Sequence, residues 1–83
     1  MNDAGGMNIT LLAFGPLAET LNWKRHELSL PYSTKIDTVL QILAIDDWKN
    51  RGLFVAINGL QCEFDTELVD GDELAFLPPV SGG

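Results

Sequence analysis

The residues with the most chemical promise in this 83-residue chain are its last six, Pro78-Pro79-Val80-Ser81-Gly82-Gly83, which follow directly on an apolar run. Two prolines fix φ and favour an extended path, and the closing glycines have no Cβ to obstruct a narrow passage. At about 3.3 Å per extended residue this stretch reaches roughly 20 Å, far enough to bring the carboxylate of Gly83 into another protein's pocket. The chemistry available there is that of an acyl group. A carboxylate is a poor electrophile until it carries a good leaving group, after which nucleophiles attack it. A frayed end with no role is the opposing reading, since termini are seldom tied down. The choice rests on the whole tail and on the fold upstream of it.

Other reactive side chains are sparse. His26 lies in an alternating run with no second titratable group or nucleophile placed near it by the pattern, and reads as a strand-edge histidine. Cys62 is the only cysteine, so no intramolecular disulfide is expected and a reducing, cytoplasmic setting is the natural one. One Cys and one His far apart fall short of a zinc or iron–sulfur ligand set, so no metal site is expected. Asp70 and Asp72 flank Gly71, but the further oxygen ligands of a calcium loop are missing, and a solvated turn is expected there. Asn8-Ile9-Thr10 matches a glycosylation sequon inside a predicted strand and reads as a chance match. No Gly-rich phosphate loop with a lysine is present, and no base stands beside a nucleophile. The chain is therefore not expected to be an enzyme by itself.

Composition narrows the partners. A net charge of −7 with only five Lys and Arg argues against nucleic acid and anionic membrane, both of which need clustered basic residues; a basic protein partner fits better. The hydrophobic content of 46% is globular, and no apolar run approaches the roughly 20 residues that span a bilayer, which implies a soluble chain. At this length one domain is expected, burying only about 60–65% of the surface its unfolded chain exposes. Residues 1–6, Met1-Asn2-Asp3-Ala4-Gly5-Gly6, have neither the basic nor the apolar region of a secretory signal, and read as a short flexible extension with Met7 a possible alternative start.

The elements that must carry the tail follow from periodicity. From Asn8 to Phe14 the residues alternate, with Ile9, Leu11 and Ala13 on one face, and Gly15-Pro16 ends this first strand. Phe14 falls on the opposite face, where it is either covered by the following loop or left for a partner. Leu17 to Leu21 can form a short helical turn. Arg25 to Leu30 alternate again and stop at Pro31, forming an antiparallel hairpin with the first strand. Thr34-Lys35-Ile36-Asp37 has the form of a capping box, and Ile36, Val39, Leu40 and Leu43 line one face of the helix that follows. Leu53 to Asn58 is apolar nearly throughout, as a central strand buried on both sides would be, and Asn58-Gly59 supplies a tight hairpin turn into Gln61–Phe64. Glu73 to Leu77 forms the last strand, with Leu77 facing away from Leu74 and Phe76. If the first and last strands are neighbours, Phe14 and Leu77 share an exposed apolar patch that docks a partner while the tail is inserted.

Strand, strand, helix, strand, strand, strand with the helix crossing one face gives an α+β fold of the ubiquitin-like, β-grasp kind. It consists of a mixed five-stranded sheet with one main helix packed across it. The domain is expected over residues 7–77, with 78–83 as an extended Gly-Gly tail.

Phe14-Gly15-Pro16-Leu17-Ala18-Glu19, Val55-Ala56-Ile57-Asn58-Gly59, Asp70 to Leu77 and the Pro-Pro-Val-Ser-Gly-Gly tail together resemble the MoaD/ThiS family of sulfur carriers. Within it the likeness is greatest to the molybdopterin synthase small-subunit branch. It covers the chain from Met7 onward, apart from a compact connection at Asp46–Gly52. The resemblance implies that Gly83 is adenylated by an ATP-dependent activating enzyme and converted to a thiocarboxylate with sulfur from a sulfurtransferase. The sulfur then passes to a pyranopterin precursor held by a large subunit, in a heterotetramer that assembles molybdenum cofactor. Pro78, Pro79, Val80, Ser81 and Gly82 would enter the partner's pocket, no cofactor would be held stably, and ATP would be consumed by the activating enzyme. A thiamin-pathway sulfur carrier, a ubiquitin-like modifier joined to lysines through Gly83, and a binding module with an idle tail are the competing readings.

Overall fold

A computed structural model of the chain describes residues 6–79. The chain runs β1 (Gly6–Ala13), α1 (Gly15–Leu21), β2 (Arg25–Pro31), α2 (Ile36–Ile42), a 3₁₀ helix (Asp46–Arg51), β3 (Phe54–Ile57), β4 (Leu60–Cys62) and β5 (Glu73–Leu77). The five strands form one sheet in the order β2-β1-β5-β3-β4. β1 and β5 run parallel, and the other neighbours are antiparallel. This is the mixed sheet and β-grasp roll that periodicity implied. β1 starts at Gly6, opposite Pro31, inside the stretch read as an extension, so Met7 is a buried strand residue.

Alternation divides the sheet into two faces. Met7, Ile9, Leu11 and Ala13 of β1, Leu30 of β2, Leu74 and Phe76 of β5 and Val55 of β3 point inward and are buried. Ile36, Val39 and Leu40 of α2 close over them, with Ile45, Trp48, Leu53 and Leu68 filling the periphery. Ile42, at the end of α2, is outside this stripe and exposed.

α2 is not capped in the way its sequence suggests. Its N-cap is Lys35, and no side chain caps it. The Thr34 hydroxyl instead donates to the Pro31 carbonyl at 2.6 Å, and the Asp37 carboxylate accepts from Lys49 Nζ at 2.7 Å. The first free N–H groups are met by a distant segment: Ile36 donates to Thr66 O at 3.1 Å and Asp37 to Phe64 O at 2.9 Å. Backbone carbonyls that local sequence cannot foresee thus do the work of a capping box.

The Asp70-Gly71-Asp72 turn is exposed at Asp70 and Gly71, as expected, but its last residue is buried and structural. Asp72 is 5% exposed; its Oδ1 accepts from Asn58 Nδ2 at 3.1 Å and its Oδ2 from the Val69 N–H at 2.9 Å. Asn58 Oδ1 in turn accepts from the Glu73 N–H at 3.0 Å, while Asp70 Oδ1 accepts from the Asn8 N–H at 2.8 Å. Two carboxylates and one amide therefore tie the entry of β5 to both of its neighbours. Asn58 and Gly59 both have positive φ, 52° and 88°, the geometry that a two-residue hairpin turn demands.

Asp72→Ala removes the charged acceptor of two part-buried hydrogen bonds. It should cost about 1–3 kcal/mol in urea denaturation; a loss below roughly 0.5 kcal/mol, the range of ordinary surface changes, would show the network to be incidental.

Candidate functional site

The outer face of the sheet has a gradient of polarity along its strands. At one end lie Asn8 and Ser29, then Thr10 between Glu27 and Glu73, as the register pairs them. At the other end lie Leu12, Ala75 and Ala56 side by side, and beyond them Phe14, Leu77 and Phe54. Leu77 pairs directly with Phe54. Phe14 follows Ala13, whose parallel partner is Phe76, and its backbone is extended at φ −135° and ψ 155°. Phe14, Leu77 and Phe54 are 48%, 37% and 54% exposed.

The first and last strands are therefore neighbours, and Phe14 and Leu77 fall on one face at the same end of the sheet. The loop that could have covered Phe14 becomes α1, which buries Leu17 and Ala18 and leaves Phe14 exposed. Phe54 was missed. The run Leu53–Asn58 looked apolar enough for burial on both sides, yet β3 buries Val55 and exposes Phe54. The signal was present in the polar Asn58, which alternation places on the same face as Phe54 and Ala56.

β5 delivers the chain to this end of the sheet and stops at Leu77. Pro78 and Pro79 are half-buried. Their missing N–H groups end the ladder, and they lie beside Gly15 and Gly52: a Cβ on Gly15 would sit 3.9 Å from Pro78 Cγ, and one on Gly52 3.4 Å from Pro79 Cβ. Val80, Ser81, Gly82 and Gly83, the rest of the candidate site, lie outside the described residues.

The other reactive residues are scattered. His26 is exposed and stacks on Trp23, with ring centroids 5.1 Å apart. Cys62 is half-buried on β4. Among the described residues no group of three or more His, Cys, Asp or Glu is placed to hold a metal ion, and no helix is long and apolar enough to cross a membrane. An open depression beside α1, lined by Gly15, Ala18, Glu19, Asn22, Trp23 and Lys24, holds no nucleophile with a base. Among the described residues, an exposed apolar face and the root of the tail share one edge of the sheet.

Comparison with known proteins bears on this arrangement. The molybdopterin synthase sulfur carrier subunit of Escherichia coli (strain K12) is 51% identical over 41 residues, 49% of this chain and 47% of that protein. The match thus spans about half the length of that relative. The solution structure of the Haloferax volcanii HVO 2177 protein is similar with a TM-score of 0.81 at 26% identity, covering 100% of this chain and 92% of that one. A chain of the complex of subunits 1 and 2 of molybdopterin-converting factor from Helicobacter pylori 26695 is similar with a TM-score of 0.63 at 25% identity, covering 93% and 100%. The sequence pattern of the ThiS family matches residues 11–83, nearly all of the fold and the whole of the tail, and the chain belongs to that family.

Proposed function

We propose that this chain is the sulfur-carrier small subunit of a molybdopterin synthase and that its working group is the carboxylate of Gly83. The observation that carries the reading is the convergence at one end of the sheet. An exposed apolar face of Phe14, Phe54 and Leu77 adjoins the Pro78-Pro79 root of a tail that the family pattern matches through Gly83. A carrier needs a docking face and a protruding acyl group on one side, and it needs no catalytic residues.

In this reading the Gly83 carboxylate attacks the α-phosphorus of ATP on an activating enzyme and expels pyrophosphate. A persulfide on a sulfurtransferase then displaces AMP from the acyl carbon, and a second thiol reduces the S–S bond of the resulting acyl disulfide, leaving a thiocarboxylate and a donor disulfide. The thiocarboxylate sulfur is the nucleophile toward a pyranopterin precursor in the large subunit, and hydrolysis of the resulting acyl link restores the carboxylate. ATP and precursor are held by the partners. A basic rim on each partner complements the net charge of −7 and speeds encounter. The half-length identity to the Escherichia coli subunit and the likeness to a chain of the Helicobacter pylori complex support the large subunit as partner. The proposal includes a cytoplasmic location, in keeping with the lone Cys62.

Intact-mass measurement of chain purified from its own cells tests the chemistry. A population heavier by the exchange of one oxygen for sulfur, lost when Gly83 is deleted while thermal stability holds, is the expected result. Adducts joining Gly83 to a lysine of another protein, with no sulfur exchange, would establish a protein modifier instead. Docking is tested by combining Phe14→Asp, Phe54→Asp and Leu77→Asp. Because these side chains lie outside the core, the far-UV spectrum should be retained while affinity for the large subunit falls by at least roughly 100-fold, as loss of a buried apolar cluster implies. Unchanged affinity would remove this face from the interface.

A further inference from the structure

We infer that Gly15 and Gly52 form a saddle that seats Pro78 and Pro79 and holds the tail root in line with β5. The docking face and the tail would then meet a partner as one aligned unit. The seating stands on geometry alone, while its effect on turnover rests on the carrier reading above.

Ala13 pairs with Phe76 in parallel, so two residues further on Gly15 lies beside Pro78. Phe54 pairs with Leu77 in antiparallel fashion, so two residues further out Gly52 lies beside Pro79. The contacts agree, at 3.9 Å and 3.4 Å from the positions a Cβ would take. The two chains that flank β5 thus continue past the end of the ladder as a pair of walls, each without a side chain where a proline ring passes. Prolines cannot donate to either neighbour, so alignment beyond Leu77 has to come from packing, and the half-buried state of both rings shows that packing.

Glycine at these positions answers a turn requirement as well, since φ is +55° at Gly15 and +98° at Gly52. The two needs can be separated. Gly59 and Gly71, both at φ +88°, have nothing within 4 Å of a would-be Cβ, so they share the backbone requirement without the tail. A methyl at Gly52 would only touch Pro79; a longer side chain built on the same Cβ would compete with the ring for the space beside it. Seating the prolines also shortens the free reach. Four residues beyond Pro79 extend about 13 Å in place of the roughly 20 Å available from Leu77, so the reacting atom of a partner must lie within that shorter distance of the rim.

Asparagine tolerates positive φ, which makes Gly52→Asn and Gly59→Asn a matched pair. Two measurements decide the matter. In the full-length chain, nuclear Overhauser contacts between Gly52 and the Pro79 ring are expected, and should be lost in Gly52→Asn and kept in Gly59→Asn; their absence from the unsubstituted chain sinks the saddle. With the ATP-dependent activating enzyme, pyrophosphate release at saturating chain should slow about tenfold or more in Gly52→Asn with KM held, because a small misplacement of a reacting group is costly. Gly59→Asn should stay within about twofold of the unsubstituted chain, as a turn remote from the reacting group would. Equal rates for the two variants would overturn the saddle's role in turnover while leaving the carrier function standing. If the unsubstituted chain is not activated at all, the carrier reading fails and the nuclear Overhauser contacts alone judge the seating. Should Gly52→Asn not fold, Pro79→Ala, which removes the ring from outside the core, is expected to show the same fall in rate; a rate equal to that of the unsubstituted chain would refute the inference.

Discussion

The parallel pairing of β1 with β5 is the constraint on which the rest of the molecule depends. Thr10 to Ala13 lie beside Glu73 to Phe76, so the beginning and the end of the fold share the centre of the sheet. Parallel neighbours cannot be joined by a tight turn and need a long crossover, which the segment from β2 through α2 to β4 supplies. Because the two strands point the same way, whatever follows β1 and whatever follows β5 emerge at the same edge. Phe14 and Gly15 follow one, and Leu77 to Pro79 follow the other. An apolar face beside a tail root is therefore a consequence of strand direction, requiring no separate device.

The two ends of the sheet do different work. At the end where β5 enters, Asp70, Asp72 and Asn58 anchor it to β1 and to the hairpin through hydrogen bonds. At the end where β5 leaves, apolar side chains stay exposed and prolines stop the ladder. A buried carboxylate with satisfied partners is worth keeping where position matters more than stability, and the fixed entry of β5 sets where its exit lies. The inner face, closed by α2 and by Phe76, Leu74 and Val55, supplies the cohesion that lets the outer face remain uncovered.

Much of this could be read in the sequence, and the exceptions have physical causes. Alternation placed Ile9, Leu11, Leu74 and Phe76 inward, the Gly15-Pro16 pair marked the end of β1, and the Asn58-Gly59 and Asp70-Gly71 pairs marked real turns. Sidedness failed at Phe54, because a short apolar run satisfies both a two-sided and a one-sided strand. Capping failed at Thr34, because carbonyls of Phe64 and Thr66, some thirty residues away, reach the helix N-terminus first. The burial of Asp72 was invisible for a similar reason: Val69 is a local partner three residues before it, but Asn58 reaches it only in the folded sheet. Gly15 read as a strand breaker and Gly52 as the end of a connection, and their place against the prolines emerges only from the register of β5 with both neighbours.

In the function proposed above, the acyl carbon of Gly83 is the atom that the folded body exists to present. The most direct measurement adds one bulky residue after Gly83, verifies by mass that it is not removed, and follows cofactor precursor conversion with the activating enzyme, sulfur donor and large subunit present. No conversion, with the affinity for the large subunit retained, is the predicted result. Conversion at the rate of the unextended chain would contradict it.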